Sequence, residues 1–105
     1  MAITVLKGRK LGDQVAGGSE VRGSLAGPAS YATGGFAADI EADLGVAAAD
    51  MDYCIVSATG GYIGEFDGGN DKVIAYASGG TEVSATTNLS GETFYLTVKV
   101  KNTTA

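Results

Sequence analysis

The 105-residue chain has no His, no Trp, one Cys and one Pro. Without His there is no Ser-His-Asp or Cys-His triad and no His-ligated zinc or haem. Cys54 alone makes neither a CxxC motif nor an internal disulfide, a count compatible with a reducing compartment. Basic residues are also scarce, 7 Lys+Arg against 12 Asp+Glu for a net charge of -5. This argues against a general nucleic-acid binder, since phosphate binding is carried by clustered Lys and Arg. No apolar run approaches the roughly 18 to 20 residues of a membrane span. Ile3-Thr4-Val5-Leu6 is too short for a signal-peptide core. The expectation is a single soluble domain over residues 1-105, unprocessed, made in the cytoplasm, with no nucleic-acid or membrane partner.

Large apolar side chains are sparse as well. Much of the 45% hydrophobic content is Ala, which contributes little apolar area. The 17 Gly residues each add an entropic cost on folding. A domain so built gains from burying surface against copies or a partner.

What the chain does have is alternation. Phe94, Leu96, Val98 and Val100 alternate with Thr93, Tyr95, Thr97, Lys99 and Lys101, the period of a strand with one buried and one solvated face. Phe36, Ala38, Ile40, Ala42 and Leu44 alternate with Ala37, Asp39, Glu41 and Asp43 and predict a second such strand. The β-branched and aromatic residues of 52-57, 62-66 and 72-76, separated by Gly-containing breaks, predict an antiparallel three-stranded meander. Residues 3-7 and 20-25 are weaker strand candidates, 12-18 a long or mobile loop, and 44-51 the one place for a helical turn. The fold class expected is all-β: a small antiparallel β-sandwich or jelly-roll-like barrel with a flexible N-terminal arm over residues 1 to about 12.

Charge is distributed unevenly. Lys7, Arg9, Lys10 and Arg22 fall in the first quarter, whereas residues 23-71 hold eight acids and no Lys or Arg. The four basic residues are the candidate contact residues, suited to an acidic surface or to a neighbouring copy. The simpler alternative is a frayed terminus and a solvated acidic face.

The candidates for chemistry are weaker. On one strand face Asp39, Glu41 and Asp43 would offer oxygen ligands to a hard cation, but side chains two apart on a strand lie too far apart to enclose an ion. Asp67-Gly68-Gly69-Asn70-Asp71 has acids, an Asn and flexible glycines, without the spacing or distal Glu of an EF-hand. It reads as a hairpin turn. Gly60-Gly61-Tyr62 and Gly79-Gly80-Thr81 read as turns, lacking a phosphate-binding fingerprint. Cys54 reads as an inert buried thiol. Five Tyr residues offer a sugar-stacking platform as an alternative use. No nucleophile is paired with a base, so the expectation is no enzyme, no metal and no cofactor.

Gly60-Gly61-Tyr62, Phe66-Asp67, Asn70, Lys72-Val73, Ala75-Tyr76, Glu82-Val83 and Thr87-Asn88-Leu89-Ser90 before Thr93, with Ser30-Tyr31-Ala32-Thr33-Gly34-Gly35-Phe36 and Leu44-Gly45 upstream, form a pattern over about residues 30-100. It resembles short virion proteins of tailed bacteriophages, of the capsid decoration or cement type. The chain departs from that pattern at Lys99-Val100-Lys101-Asn102. The resemblance implies a β-rich structural protein, often trimeric, on the outside of the head, with the major capsid protein as its partner. On this reading the N-terminal arm orders on the capsid, and deleting the first twelve residues leaves a folded body. The alternatives are a virion-associated module that binds a glycan or host surface, and a tail or head-tail component.

Overall fold

In the computed structural model, which describes residues 3-7 and 20-100, Phe94, Leu96, Val98 and Val100 are all buried along one strand. That strand, Thr93–Val100, is the last of seven among the described residues: β1 (Thr4–Lys7), β2 (Glu20–Ala26), β3 (Phe36–Ala37), β4 (Met51–Ala58), β5 (Ile63–Asp67), β6 (Lys72–Tyr76) and β7 (Thr93–Val100). They form one sheet in the order β1-β2-β7-β4-β5-β6-β3, every neighbouring pair antiparallel. The chain is thus all-β, a curled sheet around one core, and β4-β5-β6 is the expected meander. The loop 12-18 lies outside the described residues.

The inner face of the sheet carries Val21 and Leu25 of β2, Val56 of β4, Val73 and Ala75 of β6 and the apolar row of β7. Segments 27-35, 38-50 and 77-92 cover it and insert Tyr31, Ile40, Leu44, Val46, Val83 and Leu89, all buried. Among the described residues, only Ala38 and Ala75 of the buried apolar residues are alanines. The core is therefore made by its few large side chains. Phe36 meets Tyr31 and Phe94 edge to face, at centroid distances of 6.3 and 5.0 Å, the geometry aromatic quadrupoles favour. Gly64 faces inward on β5, where a Cβ would run into the Val56 side chain. A glycine there lets β4 and β5 close over Phe94.

The strand expected over Phe36–Leu44 is a correction. Only Phe36–Ala37 is strand, and Ile40–Leu44 is a five-residue helix, α1. Asp39 caps it by accepting a hydrogen bond from the Ala42 N–H at 3.0 Å. Gly45, at φ 75°, ends it in the left-handed region, as Gly commonly does after a helix. Phe36, Ala38 and Ile40 do alternate inward, but the next buried residue is Leu44, a helical step of four, while Ala42 is exposed. A single 3-10 turn at Ala48–Asp50 matches the helical turn expected over 44-51.

The expected arm is also partly sheet. Thr4–Lys7 pairs with β2, Ile3 is buried, and its N–H donates to the Asp43 carboxylate at 3.0 Å. Residues 8-12 of the arm lie outside the described residues. Removing residues 1 to 12 would therefore strip a core residue and a sheet strand, so it is no neutral cut.

Candidate functional site

Antiparallel register fixes which side chains share the outer face. Across β2, β7 and β4 the rows run Ser24, Tyr95, Ser57; then Arg22, Thr97, Ile55; then Glu20, Lys99, Tyr53. The Ser57 and Ile63 pairing carries the first row onto β5. Nothing among the described residues covers this face at its centre. Ile55 is 58% exposed, Ile63 49%, Tyr53 48% and Tyr95 42%. Exposed large apolar residues gathered in one patch mark binding surfaces more often than scattered ones do.

Toward the β1 edge the same face hollows into an open groove of about 400 Å³ lined by Leu6, Arg22, Gly23, Ser57, Tyr95, Leu96 and Thr97. A register shift between Val5 and Lys7 falls at Leu6, which is 56% exposed. Beyond the shift, Lys7 is the cross-strand partner of Arg22. Two of the four expected contact residues, fifteen positions apart in sequence, are thus neighbours in the sheet. The Arg22 side chain is exposed and its Nε lies 3.1 Å from a Glu20 oxygen. Arg9 and Lys10 lie outside the described residues.

The other expected sites are structural. Asp39 is the helix cap and Asp43 anchors Ile3, so neither shares a strand face with Glu41. Asp67 accepts from the Gly69 N–H at 3.1 Å and from Asn70 Nδ2 at 2.9 Å. The Asn70 bond, with that of the Gly69 N–H, holds the Asp67 carboxyl below its usual range. The loop is the expected hairpin turn, closed by its own side chains, with Asp71 at φ 53°. Asp39, Glu41 and Asp71 rim a cleft of about 180 Å³. Among the described residues no three His, Cys, Asp or Glu side chains converge as a metal site would require.

Cys54 points inward from β4 and is half-buried. Burial pushes its thiol up to about 12, so it stays protonated and a poor nucleophile. The tyrosines do not gather in one platform. Tyr31 is buried, whereas Tyr53 and Tyr95 stand on the outer face two rows apart.

Many residues that carry the phage resemblance hold turns. Asn88 Oδ1 accepts from the Ser90 N–H and Oγ at 2.9 and 2.7 Å around the buried Leu89. Glu82 accepts from the Tyr31 hydroxyl and the Gly34 N–H, both at 2.8 Å, and the Tyr31 oxygen accepts from the Ala75 N–H at 3.1 Å. These bonds tie segments 30-35 and 82-90 to β6. Comparison of the chain with protein-family models, with curated proteins and with solved structures finds no match.

Proposed function

We propose that the chain is a structural virion protein of the capsid decoration or cement type, which binds the outer surface of the major capsid shell and stabilises it. The observation that supports this most is the register pairing of Lys7 with Arg22 at the β1 edge, beside the exposed Leu6. The Arg22 side chain is exposed there, and exposed cations favour an acidic partner across them. Arg9 and Lys10 follow in sequence and extend the same basic run. The partner is an acidic region of the major capsid protein, and the chain works by binding, without catalysis or a cofactor.

Each contact is modest, because exposed ion pairs contribute roughly 0 to 1 kcal/mol. Repetition over a shell supplies the rest, since later contacts of a linked set form at high effective concentration. The resemblance brings a homotrimer with it, and residence on the outer capsid surface. Co-sedimentation of the purified chain with undecorated shells tests the reading. The wild type is expected to pellet with shells, less so as salt rises. A Lys7→Glu/Arg22→Glu double variant is expected to remain in the supernatant with an unchanged circular dichroism spectrum. Salt-independent binding that is equal for both proteins would overturn the cationic margin as the contact.

A further inference from the structure

The groove beside the Lys7 and Arg22 margin has a definite shape as well as a charge. Leu6 on β1 and Tyr95 on β7 wall it from either side of β2, two strand spacings or about 10 Å apart. Between them Gly23 pairs with Leu96. Gly23 has no side chain and Leu96 is buried on the inner face, so the floor there is backbone. The hydroxyls of Ser57, Tyr95 and Thr97, which also line the groove, make no hydrogen bond with another described residue. Those of Tyr31, Thr59 and Ser90 in the loops are all engaged.

Arg22 supplies the charge. Its Nε lies 3.1 Å from a Glu20 oxygen, a contact that orients the guanidinium and leaves its terminal N–H donors, the pair that grips a carboxylate through two parallel bonds. Arg22 pairs with Thr97 and Ser24 with Tyr95, so Arg22 and Tyr95 are diagonal neighbours on one face, roughly 7 to 8 Å apart. Side chains two apart on an extended chain point the same way and are roughly 7 Å apart. A segment laid along β2 with a carboxylate on Arg22 therefore brings its next side chain on that face beside Tyr95, into the gap toward Leu6.

We infer that this groove binds an extended peptide segment of the pattern acidic-x-apolar, with its Asp or Glu on Arg22 and its apolar side chain between Leu6 and Tyr95. The inference rests on the shell-binding reading and deepens it: the acidic region of the capsid protein is one that presents such a segment. Lys7 attracts any acidic surface, whereas Leu6 and Tyr95 select this one, because an acidic surface without the apolar side chain leaves their gap unfilled. A carboxylated saccharide fits less well, since the two exposed tyrosines of this face, Tyr53 and Tyr95, stand two rows apart and form no stacking platform. The groove is open, so one engagement is weak, and repetition over a shell makes it lasting.

Amide chemical shifts of the full isotope-labelled chain, titrated from micromolar to millimolar with the blocked peptide Thr-Glu-Thr-Leu-Thr, test the inference. Changes are expected at Leu6, Arg22, Gly23, Tyr95 and Thr97, with binding at least about tenfold weaker for the peptide carrying Gln in place of Glu. Arg22→Gln and Tyr95→Ser, both at exposed positions, are each expected to weaken binding to a similar degree with an unchanged melting temperature. No change at the groove, equal responses to the Glu and Gln peptides, a response to a galacturonate oligomer and none to the peptide, or shells that retain Tyr95→Ser as well as the wild type would overturn the inference. Shell binding of the wild type is scored separately: a chain that pellets with shells and ignores the peptide loses the groove and keeps the cement reading, and a chain that binds the peptide and does not pellet does the reverse.

Discussion

Tyr31 is the residue on which the loops over the core converge. Its ring is buried against Phe36, while its hydroxyl donates to Glu82 and accepts from the Ala75 N–H. Burial, opposed by the Ala75 bond and reinforced by Glu82, pushes the phenol up to about 12. Tyr31→Phe keeps the ring and orphans a buried backbone N–H, so it is expected to cost about 1 to 3 kcal/mol in urea unfolding. The Glu82 carboxyl is held below its usual range by the Gly34 N–H and then by the Tyr31 hydroxyl, and Asp67 is lowered by its loop. A carboxyl whose folded pKa is depressed binds its proton less readily in the folded state than in the unfolded one. Its contribution is complete above the unfolded value, about 4, and is lost as pH falls through the lower folded value. Stability is expected to decline on acidification across that window, and Glu82→Gln to flatten the decline while lowering stability at neutral pH. An unaltered acid profile in Glu82→Gln would show that this carboxyl is not one of the groups responsible.

Among the elements, β7 was legible from sequence because it crosses the middle of the sheet, where every second residue must enter the core. The meander was legible because its Gly breaks fall at true turns. At 36-44 three inward residues in an extended lead mimic a strand, and the exposed Ala42 completes the false pattern. Signals for the helix were present in Asp39 as a cap and Gly45 as a stop, and an acidic strand face masked them. The helix gives its own test. Asp39→Ala is expected to cost about 1 kcal/mol through loss of the cap, read by urea unfolding, whereas an exposed strand position would show little change. The pairing of Lys7 with Arg22 was beyond reading, since the register between β1 and β2 is set by a sheet that forms over distance in the chain.

For the molecule as a whole, one curled sheet is covered on its inner face and, among the described residues, open at the centre of its outer face. That face carries the exposed Arg22 toward β1 and Tyr53, Ile55, Ile63 and Tyr95 at its centre. The composition led to the expectation that a partner covers some surface. The outer patch was not legible in it, because Tyr53, Ile55, Ile63 and Tyr95 become one patch only through the order β7-β4-β5. Cryo-electron microscopy of the virus particles that carry this chain tests the proposed role most directly. Density for its seven-stranded sheet is expected on the outer shell between capsomers, with the β1 and β2 margin against acidic side chains of the major capsid protein. Density confined to the tail or portal, or a particle without the chain, would contradict it.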